Sequence, residues 1–295
     1  MTRETLRERL GYAVYAGGGR LARALPGRVG LPVFRALGGV AHASLPAVRG
    51  TVRRNQAQVL GLEPDDPLVR SAAREAFDLY ARYWLDSFRA PLLSADEVDR
   101  RFVMEGSEAI DAALEAGTGC IAALPHMGNW DVAGKWVSQH YPRVAAVAED
   151  LRPKRLTDLF VEHRRRLGMH ILPLTANGNV GRQLARLLAA NWIVALVADR
   201  ELSGRGVEVR MFGRTRRLPS GPALLSITTG APLLACAVFT TDDGWRCDVR
   251  RIAFEATGER RDDVRELTQR LASAFERAVA SRPPDWHMFQ PAWDP

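Results

Sequence analysis

The sequence predicts an α/β fold: a central, mainly parallel sheet flanked by helices, with an N-terminal amphipathic helical extension. Two observations carry this. From about residue 120 onward, short apolar runs alternate with amphipathic stretches, the pattern of parallel strands linked by helices that cover both faces of a sheet. The first 45 residues, by contrast, hold apolar residues near helical spacing and no strand-like run. A chain of 295 residues is also long enough to bury a substantial core.

The elements follow in order. Leu6, Leu10, Val14, Leu21 and Leu25, then Val29, Val33, Phe34, Leu37 and Val40, trace apolar helical faces with Arg3, Arg7, Arg9, Arg20, Arg23, Arg28 and Arg35 among them. Pro26 and Pro32 are expected to break this run into two helices, and Gly17-Gly18-Gly19 to bend the first. Their apolar faces either pack on the body of the protein or dip into a lipid surface while the arginines meet headgroups. The chain is accordingly divided into residues 1–45, amphipathic helices, and 46–295, the main domain. A helix is expected over about Pro67 to Ala90, containing "YARYW". The strand candidates are "CIAALP" (120–125), "RVAAVA" (143–148), "MHILPL" (169–174), "WIVALVA" (192–198) and "PLLACAVF" (232–239). Between them, "DVAGKWVSQHY", "RLTDLFVEHRRRLG", "VGRQLARLLAAN" and "GPALLSITTG" read as helices, and "DDVRELTQRLASAFERAVAS" as a long terminal one. The aromatic, proline-rich tail "RPPDWHMFQPAWDP" is too apolar for a free end and is expected to pack down.

Composition narrows the function. The formal charge is +7, and since only Lys135 and Lys154 are lysines, 39 of the 41 basic residues are arginines. A G+C-rich coding bias accounts for such an excess, as does contact with phosphate on a membrane or nucleic acid. No nucleic-acid-binding motif accompanies the charge, which argues against the latter. Cys120, Cys236 and Cys247 form no CxxC pair and read as core thiols of a reducing compartment. The start shows no signal-peptide pattern, and no apolar segment approaches the roughly 20 residues of a membrane span. The protein is expected to be soluble or to lie on a membrane. His42, His140, His163 and His170 show no ligand spacing, so no metal is expected. His287, between Trp286 and Met288, reads as a core residue.

The chemistry concentrates in "LPHMGNWD", residues 124–131. On a helix an offset of five turns about 140° around the axis, so His126 and Asp131 share no helical face. They meet only if His126 precedes the helix. Pro125 ends the strand, Gly128 permits a sharp turn, Asn129 is a good N-cap, and Trp130 and Asp131 open the helix. His126 then sits at the carboxyl edge of the sheet, where ligands of open α/β sheets bind, with Asp131 folding back to orient it. A carboxylate on one imidazole nitrogen fixes the tautomer and raises the basicity of the other, the arrangement for deprotonating a hydroxyl. No serine or cysteine lies in the motif, so the hydroxyl is read as belonging to a substrate.

"LPHMGNWD" resembles the H-x4-D signature of the glycerolipid acyltransferases, in the "H.GNWD" form of the lipid A lauroyl/myristoyl acyltransferase family. "EHRRRLGMHILPL" (162–174), "VALVADREL" (194–202), "GVEVRMFGRTRRLPSGPALLSITTGAPLLACAVF" (206–239) and "PPDWHMFQPAW" (283–293) resemble successive blocks of that family, in order. The wording is most similar to its actinobacterial phosphatidylinositol mannoside acyltransferases, from about residue 75 to the end.

The resemblance implies a peripheral enzyme on the cytoplasmic face of the cell membrane. It implies transfer of a long acyl chain, palmitoyl, from acyl-CoA as co-substrate to the 6-hydroxyl of a mannose on an anionic mannosylated inositol lipid. No cofactor and no acyl-enzyme are implied; His126 is the general base and Asp131 its orienting partner. Backbone amides near Gly128 and Asn129, or an arginine, are candidates for the oxyanion donor, with Trp130 beside them. Arg164 matches a family arginine that shapes the polar part of the pocket. Asp199, followed by Arg200, stands where the mannoside enzymes carry an acidic residue, here an aspartate as in the lipid A branch. The "RTRR" run at 214–217 reads as a solvated turn or a phosphate contact. The alternative is transfer from acyl-carrier protein or acyl-CoA to another glycolipid or a lysophospholipid.

Overall fold

The computed structural model describes residues 4–149, 151–174, 179–201 and 204–293. Met1 to Arg3, at the head of the N-terminal run, lie outside them.

Four helices come first: α1 (Leu6–Ala24), α2 (Gly27–Ser44), α3 (Pro46–Leu60) and α4 (Pro67–Arg89). A reciprocal capping box between Thr5 and Glu8 starts α1, and Pro26 separates α1 from α2 as expected. Two expectations fail. Pro32 lies inside α2 without ending it: burial of Gly30, Phe34 and Gly38 against the body outweighs the one hydrogen bond that proline forfeits. Gly17-Gly18-Gly19 does not bend α1. The helix runs through, and Gly18 and Gly19 let it approach the Phe88 ring of α4, where an added Cβ on Gly19 would stand 3.3 Å from Phe88. Ala22, Phe34, Leu85 and Phe88 form the small core that joins α1 and α2 to α4. The Arg89 guanidinium donates to the carbonyls of Ala22 and Leu25, closing the C-terminal end of α1.

The remaining elements build the sheet and its cover: α5 (Ala95–Arg101), β1 (Phe102–Glu105), α6 (Glu108–Glu115), β2 (Cys120–Leu124), α7 (Trp130–His140), β3 (Val144–Ala148), α8 (Lys154–Arg166), β4 (His170–Pro173), α9 (Val180–Ala189), β5 (Ile193–Val197), β6 (Val207–Met211), β7 (Arg214–Leu218), α10 (Gly221–Thr229), β8 (Leu233–Thr240), β9 (Trp245–Arg251) and α11 (Arg260–Ser281). The seven-stranded sheet has the order β1-β9-β8-β2-β5-β3-β4. Strands β8, β2, β5, β3 and β4 are mutually parallel; β9 runs antiparallel to β8, and β1 parallel to β9. β6 and β7 form a separate antiparallel hairpin.

Alternation along the strands makes two cores. Ile121, Ala123, Val194, Leu233 and Ala235 face α9, α10, α11, the hairpin and the C-terminal segment. Cys120, Ala122, Leu124, Ile193 and Cys236 face the side covered by α6, α7 and α8. The tail packs down as expected: Trp286 and Trp293 are buried. It is pinned by Asn55 of α3, whose side-chain amide donates to the carbonyls of Met288 (2.9 Å) and Gln290 (2.8 Å). Among the described residues, no helix is long and apolar enough to cross a membrane.

Candidate active site

The register of the two central strands places the site. β2 and β5 are parallel neighbours with Leu124 opposite Val197. His126 and Asp199 each stand two residues beyond that pair, so the chain sets them side by side at the carboxyl edge. The Asp199 side chain accepts from the His126 backbone amide through Oδ2 (3.0 Å) and faces the imidazole Nδ1 through Oδ1 at 2.5 Å. Trp286 of the tail completes the shell by donating its indole N–H to Oδ2 at 2.8 Å. Asp199 is wholly buried. Burial by itself raises its pKa, but the His126 ring and the N–H groups of His126 and Trp286 overcome that and hold the carboxyl at about 2. A carboxylate only accepts hydrogen bonds, so Nδ1 carries the proton and Nε2 is left as the basic nitrogen of a side chain one-fifth exposed.

The expected pairing of His126 with Asp131 is therefore corrected. Asn129 does cap α7, accepting from Val132 N–H at 3.0 Å, and Trp130 and Asp131 are its first residues. Yet Asp131 turns into the protein, where its oxygens take the Arg164 Nε–H (2.9 Å) and the Tyr83 hydroxyl (3.0 Å). Burial pushes the Asp131 carboxyl up, and the Arg164 charge more than reverses this. The H-x4-D spacing thus serves two bonds: Asp131 locks the start of α7 to α8 and α4, while His126 finds its carboxylate on the neighbouring strand.

Gly128 makes the turn between them. Its φ is +57°, and a Cβ there would lie 2.2 Å from the Val238 carbonyl oxygen, so no side chain fits. Its amide donates to the Asp285 carbonyl at 3.0 Å and is already engaged, which corrects its reading as a donor to a reacting oxyanion. His287 is packed in the core, as read. It lies against Tyr80 and Tyr83, its Nε2 is 3.1 Å from the Gly128 carbonyl, and burial lowers its pKa to about 3.

Two cavities flank the pair, one on each face of the sheet. The first is an apolar slot of about 70 Å³ beneath α7 and α8, walled by six successive strands from β3 to β1. Trp130, Asp131 and Arg164 line it together with Ala122, Ala195 and Cys236. The Trp130 ring meets the His126 imidazole edge-on at 5.4 Å. The second cavity, polar and about 410 Å³, lies on the opposite face, between Arg200, the hairpin and the tail.

With this geometry in place, comparison with known proteins decides the family. Residues 1–294 match the bacterial lipid A biosynthesis acyltransferase family. This chain belongs to that family. It is an acyltransferase, as the resemblance of the "H.GNWD" block implied. Among its relatives is a phosphatidylinositol mannoside acyltransferase of Mycolicibacterium smegmatis, 39% identical over 280 residues, spanning 95% of this chain and 90% of that protein. Another, of the same description from Mycobacterium tuberculosis, is 40% identical over 248 residues, spanning 82% of this chain and 76% of the relative.

In this acyltransferase the sequence-level residues separate into groups. His126 and Asp199 form one, with Trp130 against the ring; Asp131 and Arg164 form the second; Arg200 lines the polar cavity. Sequence reading misses two contributors, Trp286, which it takes only as part of the packed tail, and Tyr83, and it leaves Arg216 inside a run read as a solvated turn or a phosphate contact. The "RTRR" run is strand β7 rather than a solvated turn. Its alternation buries Arg216, whose Nη2 donates to the Asp199 carbonyl at 2.6 Å. That alternation, with Leu218 also buried, was the available signal.

Proposed function

We propose that this acyltransferase moves a palmitoyl group from acyl-CoA to the 6-hydroxyl of a mannose on a phosphatidylinositol mannoside. The observation that carries the reading is the His126–Asp199 pair at the sheet edge, its ring against the aromatic wall of an apolar slot. The printed descriptions of the relatives supply the acceptor class. In the reaction, Nε2 of His126 takes the proton of the mannose hydroxyl as its oxygen attacks the thioester carbonyl. Asp199 stabilises the imidazolium that forms. Collapse of the tetrahedral intermediate breaks the C–S bond, and the imidazolium returns its proton to the departing thiolate. An ester and free CoA result, with no acyl-enzyme.

The acyl chain belongs in the slot beneath α7 and α8. At about 70 Å³ the slot is narrower than a long acyl chain, so its walls part to admit one. The Asp131–Arg164 ion pair stands in that wall and ties α7 to α8.

Membrane contact belongs to residues 1–45. Leu6 (83% exposed), Leu10 (62%) and Val14 (66%) lie one helical turn apart on α1, facing away from the Phe88 contact. The three cysteines are unpaired thiols, which suits the cytoplasmic face of the membrane, where the protein is peripheral.

The test is a product panel. Purified full-length protein with labelled palmitoyl-CoA should acylate phosphatidylinositol mannosides in preference to lysophospholipids, and palmitoyl-CoA should outperform palmitoyl-carrier protein. Faster ester formation on a lysophospholipid, or with the carrier-protein donor, supports the alternative transfer.

A further inference from the structure

The polar cavity on the other face of the sheet has no part in the chemistry above, and its composition is distinctive. Three guanidinium groups line it, those of Arg200, Arg216 and Arg217, against two carboxylates, Glu201 and Glu208. Glu208 is held by Arg217 at 3.0 Å. Arg216 is only 6% exposed, and its guanidinium carbon lies 5.3 Å from the Trp293 ring and 5.7 Å from Trp286. One of its terminal nitrogens is spent on the Asp199 carbonyl and the other lies 3.8 Å from the Met211 sulfur, while its Nε–H is buried without an acceptor. The Nε–H of Arg200 is in the same condition. Both arginines nevertheless line the same cavity, and with Arg217 they set three cationic guanidinium groups around a polar space that suits an anionic, oxygen-rich group from outside the chain. Guanidinium forks match phosphate oxygens, and a cavity of about 410 Å³ accepts such a group with the atoms around it.

We propose that this cavity is a phosphate-ester subsite, holding a phosphate of one of the two substrates. That phosphate is either on the nucleotide end of the acyl-CoA or in the phosphodiester of the inositol lipid. The assignment of those two sources rests on the acyl-transfer reading; the phosphate chemistry itself does not. The layout then has a clear logic. The apolar chain lies on one face of the sheet, the phosphate on the other, and the reacting carbonyl and hydroxyl meet at the edge between them. Arg216 touches both halves, because the side chain that lines the subsite also holds the backbone of Asp199.

The experiment is calorimetric titration of the full chain with adenosine 3′,5′-bisphosphate and with inositol 1-phosphate, each against its phosphate-free counterpart, adenosine or inositol. One phosphate probe is expected to bind at least about tenfold more tightly than its counterpart, and Arg200→Gln to abolish that preference. Whichever probe shows the preference identifies the source. Arg217→Gln, at a half-exposed position, should weaken the same probe and serves if Arg200→Gln melts early. Absence of a phosphate preference in the wild-type chain overturns the proposal, and so does a preference that survives in both variants. Since binding is read without turnover, a chain that binds the phosphate probe but forms no ester contradicts the acyl-transfer reading alone.

Discussion

Exchanging the two aspartates for asparagine separates their roles. Asp199→Asn keeps the shape of the side chain but removes the anion facing His126 Nδ1. The structure sets the size of the effect. The Asp199 carboxyl moves from 3.8 to about 2, net of its burial cost. At ~1.36 kcal/mol per unit that is on the order of 2–3 kcal/mol favouring the ionised form beside the ring. If the imidazolium formed during proton transfer gains at least that much from its partner, its loss slows turnover by roughly 10²-fold. Asp131→Asn acts differently. It leaves Arg164, with its side chain 16% exposed, without its counter-charge, which typically costs about 3–5 kcal/mol of stability. The assay is initial acyl-transfer rate from palmitoyl-CoA, normalised to folded protein by a thermal melt run on the same sample. Asp199→Asn should lose kcat with the smaller change in Tm, and Asp131→Asn should lose Tm with the smaller change in kcat. The reverse pattern refutes the assignment and restores Asp131 as the partner of the histidine.

Three further outcomes are expected. Replacing Leu6, Leu10 and Val14 together by glutamate should reduce co-sedimentation with anionic vesicles while leaving the melt nearly unchanged, because none of the three is buried; undiminished vesicle binding counts against the α1 face. Ala195→Leu, which fills the slot, should shift donor preference from palmitoyl-CoA toward shorter acyl-CoAs, and an unchanged chain-length profile places the chain elsewhere. The third concerns acid stability. Burial raises Asp285 to about 6 and lowers His287 to about 3. Between pH 6 and roughly 4 the folded state therefore binds the Asp285 proton that the unfolded state gives up, so this group adds stability as pH falls. His287 stays neutral in the fold while its unfolded counterpart takes up a proton, so it removes stability as pH falls, by up to ~1.4 kcal/mol per unit. The two largely offset. Asp285→Asn removes one side of the balance, and its Tm should fall more steeply than that of the wild-type chain between pH 6 and 4; parallel melting curves exclude the opposing pair.

Much of the site was legible because local rules govern it. Pro125, Gly128 and Asn129 are a strand stop, a turn and a cap, and the chain obeys all three; the five parallel strands were likewise visible as apolar runs of the right length. What the sequence withheld is lateral order. That β5, rather than β3, is the neighbour of β2 follows from how the sheet is wound, and it is this adjacency that gives His126 the carboxylate of Asp199 in place of the nearer Asp131. The equal offsets of His126 and Asp199 from "CIAALP" and "WIVALVA" were present but had no meaning until the strands were known to be neighbours. β1, β9 and the β6–β7 hairpin escaped for another reason. They are short or rich in arginine, and burial of every second residue, as in Arg216 and Leu218, is masked by the charges between. Proline and glycine misled in α1 and α2 because packing on α4 overrides their intrinsic penalties.

The imidazole at the sheet edge carries the proposed chemistry. His126→Gln keeps a polar side chain on the loop but removes the basic nitrogen, and the decisive measurement is the rate at which the folded variant forms labelled ester from palmitoyl-CoA and a phosphatidylinositol mannoside. A drop of about 10³-fold or more with an unaltered melt is the expected result. Ester formation within a few-fold of the wild-type rate contradicts it.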